Sequence, residues 1–253
     1  MVGRMGPCPR RPSKNPAAAP APRPLTMAAI ALLGTSADPP TCGHRALLEG
    51  LLSLYPLVAT WASDNPLKQP GVPLEIRVQL LAALVAAIAN PRLSLEQQLS
   101  SPWSIETLER AAQRWPDHER VFVVGSDLLP QIPHWRQADQ LLANVRLAVA
   151  PRQGWPLQQA DLERLRQAGA KIELLPLQIP ASASRLVRQA PLGQTPWGQA
   201  PEGQTPLAQA PGGQTPEGQT PRGQPDLSLV PAELLPLLYR HGLYGLAQPP
   251  PTP

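Results

Sequence analysis

The sequence predicts an α/β domain with a doubly wound, mostly parallel, Rossmann-like sheet and helices on both faces. From residue 28 onward, short apolar runs alternate with longer segments of helical spacing, which is typical of parallel α/β folds. The run Val121–Val124 is apolar throughout, as expected of a strand buried on both faces. The first apolar run leads through Gly34–His44, a segment rich in small residues, into a helical pattern. In such sheets, ligands are expected at the carboxyl ends of the strands.

The elements follow from apolar runs, from helical spacing and from the residues that start or stop helices. The predicted strands are Ala29–Leu33, Leu57–Ala62, Leu93–Glu96, Val121–Val124, Val145–Ala150 and Ile172–Leu175. The predicted helices are His44–Leu54, Leu74–Ala89, Ser104–Trp115, Gln137–Ala143, Leu157–Gln167 and Pro231–His241. Pro73 suits the start of the second helix, and Gly169 suits the end of the fifth. Pro236 leaves a break or kink in the last helix open.

Proline is concentrated outside this pattern and sets the predicted domain boundaries. Of the 36 prolines, 19 fall near the N-terminus, in one internal insert and at the C-terminus. The insert contains seven pentapeptides of the form (A/T)PxGQ and its variant TPLAQ, whose prolines and glycines oppose regular structure. We predict one domain over 27–189 and 226–248, with disordered segments over 1–26, 190–225 and 249–253.

Charge and cysteine content exclude several classes of function. Lys and Arg number 22 against 18 Asp and Glu, but residues 1–26 hold five basic residues and no acidic one. The remainder is nearly neutral, so no basic surface for nucleic acid is predicted. Cys8 and Cys42 cannot form a disulfide framework and favour a reducing, cytoplasmic setting. No run of 18 apolar residues occurs in the sequence, so no membrane span is expected.

The first candidate site lies between the first strand and the first helix. Gly34, Thr35 and Ser36 are followed by the segment DPPTCGH, which ends at His44. Small residues let the backbone approach a phosphate, and a helix N-terminus offers N–H groups and the positive end of its dipole. His44 can donate to an anion at that point. Taken alone, such a turn is more often structural than functional.

With its preceding strand, DPPTCGH resembles the (T/H)xGH signature of the nucleotidyltransferase superfamily. More narrowly, it resembles bacterial nicotinate-nucleotide adenylyltransferases, especially the cyanobacterial type. The resemblance spans about 28–189 and resumes at Val230–Tyr244. It implies transfer of an adenylyl group from ATP to nicotinate mononucleotide, giving deamido-NAD (nicotinate adenine dinucleotide) and pyrophosphate. It also implies Mg²⁺ that arrives with ATP, and the chain has no Cys/His cluster for a metal of its own.

Further segments extend the resemblance to the two nucleotides. Gly125-Ser126-Asp127 with Trp135 resembles the family's GxD…W segment, in which the acidic residue faces nucleotide and the tryptophan stacks on the pyridine ring. A half-buried surface tryptophan is the alternative for Trp135. In PWSIETL, which resembles SYTIDTL, Ser104 would cap a helix and leave backbone donors for the nicotinate carboxylate.

Two more segments supply cations for phosphate. Lys68 and, further on, Arg77 resemble the cations of the mobile substrate loop, although simple solvation of either remains open. Ser182–Arg188 resembles the second signature, SSTxIR, in which Ser184 and Arg188 would clamp the triphosphate. Ala183 and Arg185 depart from that pattern, and Ser182 is the candidate replacement for the missing hydroxyl.

The resemblance thus assigns roles to particular residues. Catalysis falls to His44, Thr41 and Arg188; ATP binding to Gly34, Thr35, Ser36, His44, Gly125, Asp127, Ser184 and Arg188; and substrate binding to Lys68, Arg77, Ser104 and Trp135. These roles require the segments around His44 and Arg188 to lie side by side. Two alternatives stay open: another acceptor, such as nicotinamide mononucleotide or phosphopantetheine, or a non-catalytic protein that binds partners through the PxGQ repeat. A homo-oligomer also remains open.

Overall fold

A computed structural model describes residues 29–64, 71–180, 184–188 and 225–246. The segments predicted to be disordered, 1–26, 190–225 and 249–253, lie outside the described residues except for Pro225, so those predictions are untested. Within the described ranges, strands and helices alternate in the order predicted.

Six parallel strands form one sheet. They are β1 (Ala29–Thr35), β2 (Leu57–Ala62), β3 (Leu93–Leu95), β4 (Glu119–Gly125), β5 (Arg146–Ala150) and β6 (Lys171–Leu174). Their order across the sheet is β3-β2-β1-β4-β5-β6. The strand order therefore reverses direction at β1 and β4, which pair directly from Ala29↔Glu119 to Leu32↔Phe122. In a doubly wound sheet this switch point leaves a crevice outside the carboxyl ends of the two strands, where ligands bind.

Seven α-helices accompany the sheet in the described residues. They are α1 (Cys42–Leu54), α2 (Leu74–Ile88), α3 (Ser104–Arg114), α4 (Ala138–Asn144), α5 (Gln159–Gln167), α6 (Ser184–Arg188) and α7 (Leu235–Arg240). Their ends differ from the predicted ends by a few residues, as is usual when boundaries are read from a sequence. The prediction of a long last helix was partly wrong. A 3₁₀ turn at Ala232–Leu234 comes first, and Pro236 lies in the first turn of α7, where it starts a helix rather than breaking one.

The core has two halves, one on each face of the sheet. Ala29, Ala31 and Leu33 of β1 face a cluster that includes residues of α1, α2 and α7. Ile30 and Leu32 face the opposite cluster, which includes residues of α3, α4 and α5. Because side chains alternate along a strand, an apolar strand such as β1 joins both halves. The predicted helices on both faces are confirmed.

None of the helices in the described part of the chain is long and apolar enough to cross a membrane.

Candidate active site at the carboxyl ends of β1 and β4

The turn after β1 begins with a close approach of two strands. Gly34 pairs with Trp61 of β2, and a Cβ at Gly34 would lie 2.8 Å from carbons of the Trp61 ring. Glycine is therefore needed here for packing, whatever it does toward a phosphate. Just beyond, the Thr35 hydroxyl accepts from the Ala37 N–H at 3.3 Å. Ala37 has a φ of 50°, and the chain turns there toward α1.

His44 lies in the first turn of α1 and is oriented by the residue that precedes the helix. Thr41, which is fully buried, is the N-cap, and the two residues form a capping box. The Thr41 N–H donates to His44 Nδ1 at 3.0 Å, and the Thr41 hydroxyl oxygen is 2.8 Å from the same nitrogen. Since an N–H can only donate, Nδ1 accepts, and the neutral ring carries its proton on Nε2. The second ring nitrogen is then a hydrogen-bond donor at the N-terminus of a helix.

The second signature packs directly on this turn. The Ser184 hydroxyl donates to the Pro39 carbonyl oxygen at 2.8 Å. Arg188 Nη1 donates to the main-chain oxygen of Asp38 and lies 3.6 Å from the Asp38 carboxylate oxygen Oδ2. The two segments, separated by 145 to 150 residues in the sequence, thus meet over residues 38 and 39. The prediction that they lie side by side is confirmed. Ser182 and Ala183 lie outside the described residues.

The Asp38 carboxylate is the centre of a buried network. Its side chain is 1% exposed. The Tyr244 hydroxyl donates to Oδ1 at 2.7 Å, and the Gly71 N–H donates to Oδ2 at 2.8 Å. Burial, and then the neighbouring Asp38, raise the pKa of the Tyr244 hydroxyl above its ordinary value, so it stays protonated as a donor. Sequence reasoning assigned no role to either residue.

Arg77 is a structural residue rather than one that faces a phosphate. It is 1% exposed, and its guanidinium donates to the carbonyl oxygens of Val72 at 3.0 Å, Ser36 at 2.8 Å and Ser63 at 2.8 Å. Burial lowers the pKa of Arg77, against the opposing effects of Asp38 and Asp64. The predicted substrate contact does not match this geometry, because Arg77 joins the ends of β1 and β2. Lys68, the other predicted cation, lies outside the described residues.

The end of β4 forms the second wall of the crevice. A Cβ at Gly125 would lie 2.3 Å from Asp127 Oδ1, so glycine lets the Asp127 side chain fold back over the strand end. Arg152, from the loop after β5, donates to Asp127 Oδ2 at 2.7 Å. The Ser126 hydroxyl accepts from the Arg152 N–H at 3.0 Å and donates to the Trp155 carbonyl at 2.7 Å. Asp127 therefore lies at the predicted edge of the sheet, with a cation that the sequence analysis did not single out.

The two residues predicted to recognise the pyridine ring lie in different settings. Trp135 is half-buried and packs edge-on against Phe122 of β4, with ring centroids 6.3 Å apart. Its stacking on a pyridine ring stays a prediction. The capping role predicted for Ser104 is wrong, because Trp103 is the N-cap of α3 and Ser104 is already helical. Ser101 stabilises this turn instead, accepting from the Trp103 N–H at 3.2 Å and donating to Glu106 at 2.5 Å.

Comparisons with known proteins agree with this geometry. The cytidylyltransferase-like family model matches residues 32–189, so the chain is a cytidylyltransferase-like nucleotidyltransferase. A probable nicotinate-nucleotide adenylyltransferase of Synechocystis is 41% identical over 158 residues, covering 58% of this chain and 78% of the relative. One of Methylorubrum extorquens is 31% identical over 164 residues, covering 62% and 86%. The chain therefore belongs to the nicotinate-nucleotide adenylyltransferase family.

The solved structures support the fold. Plasmodium falciparum nicotinic acid mononucleotide adenylyltransferase complexed with NaAD has a TM-score of 0.62 to this chain. The match covers 88% of this chain and all of the other at 13% identity. At that identity the likeness concerns the fold, and it agrees with the observed parallel sheet.

Proposed function

We propose that this chain transfers the adenylyl group of ATP to nicotinate mononucleotide, giving nicotinate adenine dinucleotide and pyrophosphate in NAD biosynthesis. Its family membership supports this reaction. The single observation that carries it is the contact of Ser184 and Arg188 with the turn that leads to Thr41 and His44. Guanidinium and imidazole donors and the N–H groups of one helix N-terminus are thereby brought to the same turn, as binding of a polyphosphate requires.

The chemistry needs alignment more than it needs a base. A phosphate oxygen of nicotinate mononucleotide attacks the α-phosphorus of ATP and forms a new P–O bond. The bond from that phosphorus to the oxygen bridging the β-phosphate breaks, and its electron pair leaves with pyrophosphate. Because the attacking oxygen is already anionic, no proton must be removed and no covalent enzyme intermediate is required. The protein contributes by holding both substrates in line and by stabilising the charge that develops.

Each residue then has a definite part in the proposal. The Nε2–H of His44 and the first N–H groups of α1 stabilise charge at the α- and β-phosphates, and Thr41 orients the imidazole. Arg188 and the main-chain N–H of Ser184 bind the β- and γ-phosphates, while the Ser184 hydroxyl keeps its hydrogen bond to Pro39. The backbone of Gly34, Thr35 and Ser36 lies along the phosphates, while Gly125 and Asp127 face the nucleoside. On the acceptor side, Trp135, the backbone near Ser104 and Lys68 bind nicotinate mononucleotide.

We further propose that Mg²⁺ enters with ATP. The Asp38 carboxylate at the turn is buried and already held by Tyr244, Gly71 and Arg188. The other side chains that meet there are imidazole, hydroxyl and guanidinium groups, which do not favour a Mg²⁺ ion. The described residues hold no group of three or more His, Cys, Asp or Glu able to bind a metal. The triphosphate itself would hold the ion, which supplies charge neutralisation there. We propose a cytoplasmic location, with which the free thiol of Cys42 is compatible.

A pyrophosphate-release assay with two acceptors tests the function. The chain is given ATP and Mg²⁺ with nicotinate mononucleotide or nicotinamide mononucleotide, and kcat/KM is measured for each. We expect a higher kcat/KM with nicotinate mononucleotide, and mass spectrometry should identify nicotinate adenine dinucleotide as the product. Preference for the nicotinamide form would change the acceptor but keep the reaction. Absence of pyrophosphate with both acceptors would contradict adenylyl transfer to a pyridine mononucleotide.

A further inference from the structure

We propose that Asp38 and Tyr244 are positioning residues for ATP: the Tyr244 hydroxyl holds the buried Asp38 carboxylate, which in turn fixes Arg188 toward the triphosphate. This inference rests on the proposed function, because that function places Arg188 at the phosphates. It adds the last described segment, 225–246, to the residues that build the site.

The buried charge of Asp38 explains why its partners matter. A carboxylate that is 1% exposed must have its lone pairs satisfied, because burying an unpaired charge is far costlier than burying a neutral polar group. The Tyr244 hydroxyl donates to Oδ1 and the Gly71 N–H donates to Oδ2, while the Arg188 guanidinium forms an ion pair with Oδ2 at 3.6 Å. Removing the tyrosine hydroxyl leaves Oδ1 without its donor. Arg77 is also near this carboxylate, but its guanidinium is bound to three carbonyl oxygens. Arg188 is therefore the cation that can respond, since it already contacts the carboxylate.

Asp38 holds Arg188 through one guanidinium nitrogen, which leaves the other N–H groups of the guanidinium to donate to a ligand. Its contacts with the main-chain oxygen and the carboxylate of Asp38 both use Nη1. An arginine has five N–H donors in a planar fork, so this anchoring sets the direction of the remaining donors. The side chain is 36% exposed, which leaves it open to a ligand. If Oδ1 loses its donor, we expect the guanidinium to be drawn toward the carboxylate and away from the phosphates.

Tyr244 is buried and has a left-handed backbone conformation. It is 5% exposed, and its φ of 56° and ψ of 33° lie in the left-handed region, which residues other than glycine rarely adopt. Such a conformation persists only where surrounding contacts over-determine it, and it is common at functional sites. A phenylalanine would fill the same space. What tyrosine adds is the hydroxyl that reaches Asp38.

The test is Tyr244→Phe in the full chain. Affinity for a non-hydrolysable ATP analogue is measured by calorimetry, and KM is measured for ATP and for nicotinate mononucleotide. We expect the Kd and KM for ATP to rise about ten-fold, the scale of one hydrogen bond to a charged group. The KM for the mononucleotide should change by less than about two-fold, since Tyr244 acts through the ATP contact alone. Tyr239→Phe, on α7 but 39% exposed, is the matched control and should behave as the wild type.

A double-mutant cycle separates positioning from general support of the fold. In an Arg188→Ala background, Tyr244→Phe should cause no further loss of affinity for the ATP analogue, because the residue through which it acts is gone. Asp38→Asn, which keeps the shape but removes the charge, should show the same dependence on Arg188. Unchanged ATP affinity in Tyr244→Phe, additive losses in the cycle, or an equal rise in both KM values would overturn the inference. A chain that binds the ATP analogue in a Tyr244-dependent way but makes no dinucleotide would contradict only the proposed function.

Discussion

His44 can donate to a phosphate because its other ring nitrogen, Nδ1, accepts a hydrogen bond. The Thr41 N–H donates to Nδ1, so the proton of the neutral imidazole is on Nε2 before any ligand binds.

The local surroundings of Arg77 explain why the sequence suggested the wrong role for it. An arginine after a predicted substrate loop suggests a phosphate contact, but nothing local reveals that three carbonyl oxygens accept from it. Burial of a charged side chain is a tertiary property, and it decided the role of Arg77.

Replacing His44 by alanine should lower kcat by a few hundred-fold, the scale of losing one preorganised donor at a site of developing charge. The free energy of unfolding should fall by no more than about 1 kcal/mol, since only part of the capping box is lost. Steady-state kinetics and urea denaturation measure the two effects. His118→Ala is the control, because His118 immediately precedes β4, at the opposite end of the sheet. A His44→Ala variant with near-normal kcat would remove His44 from the mechanism.

At the level of secondary structure, Thr41 at the start of α1 both stabilises the helix and orients a candidate catalytic side chain. Thr41 caps the helix and also touches the His44 ring, so the helix cannot begin elsewhere without turning the imidazole. The start of α3 was predicted less well. A serine at a helix start suggests a cap, yet Ser101 stabilises this turn from three residues upstream of Ser104. Hydroxyls at both positions satisfy the same local pattern, and only the backbone path selects between them.

Thr41→Val tests the double role of this N-cap. It removes the hydroxyl but keeps the β-branched shape, so we expect the free energy of unfolding to fall by about 1 kcal/mol. We also expect kcat to fall, because His44 loses part of its orientation. Thr41→Ser keeps the hydroxyl and should restore most of both quantities. If the valine and serine variants have the same kcat, the hydroxyl does not orient the imidazole.

For the whole molecule, the sequence predicted the fold better than it predicted the site. Apolar runs such as Val121–Val124 identified the strands because burial on both faces leaves a local signal. Two recognisable signatures also predicted that the segments around His44 and Arg188 lie side by side, and Ser184 and Arg188 do contact the turn before α1. The hydrogen bond between Tyr244 and Asp38 joins residues 206 positions apart, and no local sequence pattern at either residue indicates the other. Asp38 could have been suspected as a charged residue directly after a buried strand, but Tyr244 required the fold.

Two buried tyrosines make the stability of the whole molecule sensitive to alkali. Burial and a nearby carboxylate raise the pKa of Tyr55, beside Glu173, and of Tyr244, beside Asp38, above the ordinary value of 10.0. Above about pH 10, the unfolded chain loses these protons while the folded chain keeps them, so stability falls as the pH rises. For each group, the free energy of unfolding falls by up to about 1.4 kcal/mol for each pH unit above 10, and below pH 10 there is no such loss.

Tyr55→Phe measures this effect away from the site. At pH 8 the variant should be about 1 kcal/mol less stable than the wild type, because the hydrogen bond to Glu173 is lost. The difference should shrink above pH 10, since the variant has one fewer proton to lose on unfolding. Urea denaturation from pH 8 to pH 11 tests this, with Tyr239→Phe as the exposed control. A difference that stays constant across that range would contradict the raised pKa of Tyr55.

Under the positioning role proposed for Tyr244, its bond to Asp38 also determines when the ATP site is complete during synthesis of the chain. Residue 38 leaves the ribosome early, with β1 and α1, whereas its partner emerges some two hundred residues later. Until then, a growing chain contains the sheet and both signatures, but Asp38 lacks the Tyr244 hydroxyl and the proposed positioning of Arg188 is incomplete. Premature termination just before residue 244 would therefore give a product that contains all six described strands but lacks the hydroxyl donor to Asp38.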